Sequence, residues 1–226
     1  MTRWSDAPPI DREVIVDVTD AGLAGRLVLP AGAIGLVLFA HGSGSSRLSP
    51  RNVQVAECLH AARMGTLLFD LLTESESRIR ARIFDIPRLA QRLADATRWS
   101  MRQPEAGGLR IGYFGASTGA AAALFAASQL REAIAAVVSR GGRPDLAMPA
   151  LPSVVAPTLL IVGSLDEDVL QLNRLALGRL AGERRLEVVA GASHLFEEAG
   201  TLERVAELAT DWFAAHFAEI AVRPRS

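Results

Sequence analysis

The chain has 226 residues, half of them apolar, with 24 Lys and Arg against 25 Asp and Glu and a formal net charge of −1. That length suits one domain over 1–226 with a large buried core, and the charge argues against nucleic acid or an anionic membrane surface as partner. No apolar run approaches the roughly 18 residues of a membrane span, residues 1–6 hold no apolar signal segment, and the lone Cys58 leaves no internal disulfide or cysteine metal cluster, so the expectation is a cytoplasmic protein without a cofactor.

In chain order, the alternation over 13–18 predicts a strand, and Asp20-Ala21-Gly22 turns the chain into a second one over 23–29, an N-terminal hairpin. Residues 34–40 are almost wholly apolar, as expected of a strand covered on both faces. They end at His41-Gly42-Ser43-Gly44-Ser45-Ser46, too rich in glycine for helix or strand. A helix is predicted over 50–63, with Cys58 as a small core residue in it, and a buried strand over 65–69. Residues 72–84 are charged and loop-like. Asp85 then caps a helix with Pro87 in its first turn and apolar positions at Ile86, Leu89, Ala90 and Leu93.

A strand over 110–114 leads into Gly115-Ala116-Ser117-Thr118-Gly119 and the helix former Ala120 to Leu124. Further buried strands are predicted over 133–138, 158–162 and 186–189. A closing helix over 201–217 presents Leu202, Val205, Leu208, Ala209, Trp212 and Phe213 on one face, and residues 222–226 read as a short frayed tail. Strands alternating with helices, the central ones apolar throughout, predict an α/β fold: a mostly parallel sheet with helices on both faces. Reactive groups in such sheets gather beyond the carboxyl ends of the strands. The unusual polar clusters fall there: residues 41–51, Ser117, residues 139–145, Asp166 and His194.

Strand, Gly-x-Ser-x-Gly, helix is the order of a nucleophile elbow, in which a serine on a strained turn is exposed above the sheet. A serine hydroxyl needs a base, and the base needs a carboxylate to fix its tautomer. Chain order in this arrangement is serine, acid, histidine. Of four histidines, His60 and His216 fall inside predicted helices and His41 precedes the serine, which leaves His194 as base. Asp166, Glu167 and Asp168 compete for the acid. Asp166 lies nearest its strand and is preferred, whereas Asp168 suits the N-terminus of the next helix. The oxyanion donors expected are the backbone N–H of Thr118 and that of Ser43, with Gly42 as the fallback.

Residues 39–47, 112–120 and 139–145 resemble the dienelactone hydrolase family of α/β-hydrolases, in particular its serine-bearing branch, sometimes joined to phosphoribosyltransferase-like domains. The resemblance runs from about 23 to 217. It implies a single α/β-hydrolase domain with little or no lid, and Ser117, Asp166 and His194 at the catalytic positions. The namesake enzymes use cysteine where this chain has Ser117, so their substrate does not carry over with the fold.

The expected activity is that of an esterase taking a small-molecule ester, lactone or thioester. Arg47, Arg51, Arg140 and Arg143 follow two of the rim segments and admit two readings. They hold an anionic part of the substrate by paired hydrogen bonds, or they bind neighbouring acids and carbonyls and fix the loops. A non-catalytic binding or scaffold protein on the same fold is the competing function. A nucleotide-binding protein is set aside, because neither glycine-rich loop has the P-loop lysine or Gly-x-Gly-x-x-Gly spacing.

Overall fold

The structure is a computed structural model that describes residues 8–218. The tail expected at 222–226 and the residues read for a signal segment at 1–6 lie outside them. The first strands are β1 (Ile10–Val18), β2 (Ala21–Leu29) and β3 (Gly35–Ala40), followed by α1 (Pro50–Ala61) and β4 (Gly65–Phe69). A 3-10 turn at Glu76–Arg78 and the short α2 (Arg80–Ile83) precede α3 (Ile86–Arg102). Next come β5 (Arg110–Ala116), α4 (Thr118–Leu130), β6 (Ile134–Arg140), a 3-10 segment at Pro144–Ser153 and β7 (Thr158–Gly163). The chain closes with α5 (Glu167–Leu177), β8 (Arg184–Val189) and α6 (Thr201–Ala218).

The eight strands form one sheet in the order β1-β2-β4-β3-β5-β6-β7-β8. β1 pairs antiparallel with β2, and β2 with β4; from β4 to β8 every pair is parallel. Burial follows this position. All residues of β3 and β4 are buried, while the edge strand β8 buries only Val189. Side chains of one parity, such as Leu38, Tyr113, Val137 and Leu160, pack under α3 and α4, and those of the other, such as Phe39, Phe114, Val138 and Ile161, pack under α1 and α6.

Strand order reverses at β3. The chain runs from β3 out to β4 and returns to β5 on the other flank of β3, with Ala40 opposite Gly115. A crevice opens where the connections leave in opposite directions, and the 41–46 loop and Ser117 flank it.

Two expectations need correction. Residues 72–84 are not a plain loop: they hold a 3-10 turn and a helical turn, and Glu76 ties them to α3 through Arg88 and Arg92. Cys58 is exposed rather than in the core, because α1 buries Asn52, Val55, Ala56 and Leu59 and position 58 lies off that stripe. No helix among the described residues is long and apolar enough to cross a membrane.

Candidate active site

The elbow is built by close backbone approach. Ser117 has φ +50° and ψ −119°, a left-handed conformation that costs a non-glycine residue of order 1–3 kcal/mol and persists only where neighbours enforce it. They do so here. The Ser117 N–H donates to the Arg140 carbonyl at 3.2 Å, and the Ser117 carbonyl accepts the Arg143 and Ala120 N–H groups at 3.1 Å each. A Cβ at Gly119 would strike the Ala40 carbonyl, and one at Gly115 would strike Ala120. Glycine two residues before and after the serine therefore lets α4 start tightly against β5 and β3.

On one side of Ser117 the loops after β7 and β8 are sewn together. Ser164 N–H bonds the Val189 carbonyl at 2.9 Å and Leu165 N–H the Ala192 carbonyl at 3.0 Å. Gly191 N–H bonds the Ser164 hydroxyl at 2.8 Å. These bonds bring Asp166 to His194: Nδ1 of the imidazole lies 2.6 Å from Asp166 Oδ2. A carboxylate only accepts, so this contact places the ring proton on Nδ1 and leaves Nε2 as a base. Asp166 occupies the N-cap position of α5 but makes no side-chain capping bond; its carboxylate serves the histidine instead. Glu167 and Asp168 fall in the first turn of α5, where their charges suit the helix dipole.

The imidazole lies over Gly141 (φ +50°), where a Cβ would stand 3.5 Å from its Cε1 and Nδ1. Gly141 follows Arg140, whose carbonyl holds the Ser117 amide. Serine and imidazole are thus joined through a single backbone segment, without a direct hydrogen bond between them among the described residues. Such contacts are often long without substrate.

The other side is the loop after β3. Gly42 faces the elbow, and a Cβ there would sit 3.1 Å from Ser117 Cβ. The Ser43 N–H donates to the Thr118 hydroxyl at 2.8 Å, so the two expected oxyanion donors are on adjoining segments and already coupled through the Thr118 side chain. His41, weighed from the sequence only as a competing base, is a clamp. Its Nδ1 lies 3.0 Å from the Gly42 carbonyl and its Nε2 accepts the Leu71 N–H at 3.0 Å. Burial pushes its pKa down, which keeps the ring neutral and able to do both. Asn173 is a second support the sequence left unmarked: buried on α5, its Nδ2 donates to the Gly142 and Val169 carbonyls at 2.9 and 2.8 Å.

The four arginines divide. Arg47 binds Asp70 through its main-chain N–H and its Nη1, both at 2.8 Å. Arg143 makes a two-pronged pair with Asp145, 2.8 Å on each prong. Both therefore fix loops. Arg51 reaches the exposed Glu197 at 3.2 Å. Arg140 is buried and has no carboxylate. Beside the 41–46 loop is a cavity of about 620 Å³. Leu23, Leu72, Ile83 and Leu89 supply apolar lining, and Ser43 and Thr118 open onto it. Residues 72–84 form part of its wall.

No protein-family model matches the chain. It is 58% identical over 212 residues to two Mycobacterium tuberculosis proteins, from strains H37Rv and CDC 1551, which carry a provisional phosphoribosyl transferase name. The match covers 94% of this chain and 48% of each of those, so the chain spans about half the length of the curated relatives it matches. Among solved structures, the esterase Est1E of Butyrivibrio proteoclasticus superposes with a TM-score of 0.79 over 92% of this chain and 99% of its own, at 15% identity, a likeness of fold. A dienelactone hydrolase from Anabaena variabilis superposes with a TM-score of 0.89 at 54% identity, over 93% of this chain and 99% of its own. That identity extends along nearly the whole of both chains, and the chain belongs to the dienelactone hydrolase family of α/β-hydrolases.

Proposed function

We propose that the protein is a serine hydrolase that cleaves small carboxylic esters, lactones or thioesters through an acyl-enzyme on Ser117. The observation that carries this reading is the strained Ser117 elbow sharing one rim with a His194–Asp166 pair at 2.6 Å. With Asp166 on Nδ1, Nε2 of His194 takes the serine proton as Oγ attacks the carbonyl carbon. The Thr118 N–H, at the first turn of α4 where no intrahelical acceptor exists, and the Ser43 N–H, shared with the Thr118 hydroxyl that already accepts it, then hold the oxyanion. His194 returns the proton to the leaving oxygen or sulfur. A water molecule, deprotonated by the same nitrogen, attacks the acyl carbon and frees Ser117.

The cavity beside Ser43 and Thr118 would take one arm of the substrate. Its volume, about 620 Å³, and its mixed lining suit a short arm better than a long acyl chain. A lactone is an internal ester, so the name of the Anabaena relative agrees with this class. We take the transferase activity in the name of the mycobacterial relatives to reside outside the half that this chain matches, because the groups gathered around Ser117 suit acyl transfer to water.

A fluorophosphonate probe tests the reading and separates it from a non-catalytic protein on the same fold. The probe should label Ser117, and Ser117→Ala should abolish labelling and lower ester turnover by about 10⁶-fold. Ester cleavage surviving that substitution would end the proposal.

A further inference from the structure

Among the described residues, Arg140 is the guanidinium of the four rim arginines that has no carboxylate partner. As the last residue of β6 it shares the sheet face of Ala136 and Val138, towards α1 and α6. It is 8% exposed, and its Nε and Nη1 are sealed from solvent without a hydrogen-bond partner. Nη2 is the one nitrogen outside that sealed set. The Phe196 ring lies 6.0 Å from the guanidinium carbon, and the charge that acts on it is that of a second cation, Arg51. Burial first, and then Arg51, push its pKa down to about 10.

The surroundings add to the positive field. The Nε of Arg51 is also buried and unpartnered, and its ion pair is with Glu197, which is 63% exposed. Arg51 stands in the first turn of α1. That twelve-residue helix has no acidic side chain there, and Ser49 gives it no side-chain cap, so the free N–H groups of its N-terminus keep their partial positive charge. A buried cation without a partner is costly, and arginine does not relieve that cost by losing its proton at neutral pH. An anion would relieve it, and the planar fork of a guanidinium matches carboxylate or phosphate oxygens. The place is adjacent to the chemistry: the Arg140 carbonyl holds the Ser117 amide, and Phe196 follows His194 by two residues.

We propose that Arg140, flanked by Arg51 and the uncapped N-terminus of α1, is a binding site for an anionic group, carboxylate or phosphate, carried by the ester that Ser117 attacks. The inference rests on the serine hydrolase reading for its substrate, but the anion site is measurable without turnover.

The kinetic arm compares p-nitrophenyl hydrogen succinate and p-nitrophenyl 3-phosphonopropanoate with neutral p-nitrophenyl pentanoate at neutral pH. The natural chain should favour an anionic ester in kcat/KM by about tenfold or more, as charge-assisted hydrogen bonds allow. Arg140→Met should erase most of that preference, chiefly through KM, and Arg51→Gln part of it. Whichever anionic ester is preferred identifies the group as carboxylate or phosphate. A charge preference unmoved by both substitutions, or absent from the natural chain, overturns the proposal.

The binding arm uses Ser117→Ala protein and follows Tm with added succinate or inorganic phosphate against chloride at equal ionic strength. Tm should rise with the bound anion, and Arg51→Gln in that background should weaken the rise, a result available even where Arg140→Met does not fold. If the natural chain cleaves no ester and takes no fluorophosphonate, yet the arginine-dependent rise persists, the hydrolase reading falls and the anion site stands. If esters are cleaved but neither charge preference nor Tm responds to the arginines, the anion site falls alone.

Discussion

The two flanks of Ser117 are held by different kinds of bond. Towards β7 and β8, the loops carrying Asp166 and His194 are joined chiefly main chain to main chain, Ser164 to Val189 and Leu165 to Ala192, with the Ser164 hydroxyl adding a bond from Gly191 N–H. Towards β3 and β4, side chains do the joining: His41 between Gly42 and Leu71, Thr118 to Ser43, Arg47 to Asp70, and Glu76 to Arg88 and Arg92. Main-chain bonds survive most substitutions, whereas a side-chain clamp changes with one residue. On the proposed hydrolase reading, the first flank fixes the chemistry, and the second, which walls the cavity, is where recognition of the substrate can vary.

The largest effect belongs to the first flank. Asp166→Asn keeps the shape of the side chain but offers an amide to His194 Nδ1, favouring the wrong tautomer. Turnover should fall by about 10⁴-fold with the fold intact, measured as kcat beside an unchanged circular dichroism spectrum. A variant at near-natural rate would mean that the 2.6 Å contact is structural only. On the second flank, Thr118→Val removes the hydroxyl that accepts the Ser43 N–H but keeps the Thr118 N–H. We expect kcat to drop by about fivefold, the worth of one hydrogen bond near 1 kcal/mol, with Thr118→Ser restoring it. An increase in kcat would mean that the hydroxyl competes with the oxyanion for the Ser43 amide.

Which groups could be read from the sequence follows the same division. Wholly apolar strands, the glycines around Ser117 and the order serine, acid, histidine are local patterns, and the fold came from them with the N-terminal hairpin in its place. Asp166 and His194 could be named because each lies in the loop that follows its strand, and the structure pairs them. Side-chain clamps join segments distant in sequence: His41 meets Leu71, and Glu76 meets Arg92 and Arg88, whose own partner Asp20 is in the first hairpin turn. No spacing rule announces those. The same limit left the four rim arginines as one group until partners separated Arg47 and Arg143 from Arg140.

The smallest of these effects tests whether residues 72–84 are anchored or free. Glu76 receives Arg92 at 2.7 and 2.9 Å, Arg88 at 2.8 Å, and the Thr73 N–H at 2.9 Å. The Arg92 hydrogen bonds foremost, with those from Thr73, hold its pKa down to about 2 against an ordinary 4.5. A carboxyl whose folded pKa lies below its unfolded value stabilises the fold above the unfolded value, and loses that contribution as pH falls through the folded one. The contribution should thus be complete above about pH 4.5 and fade towards pH 2. Glu76→Gln should lower stability at neutral pH by on the order of 1 kcal/mol, as expected of a partly exposed ion network, and flatten the acid slope over that window. Urea midpoints measured from pH 2 to pH 7 for both chains give the comparison. Parallel curves would mean that Glu76 does not tie this wall of the cavity to α3, and that the second flank is looser than its bonds imply.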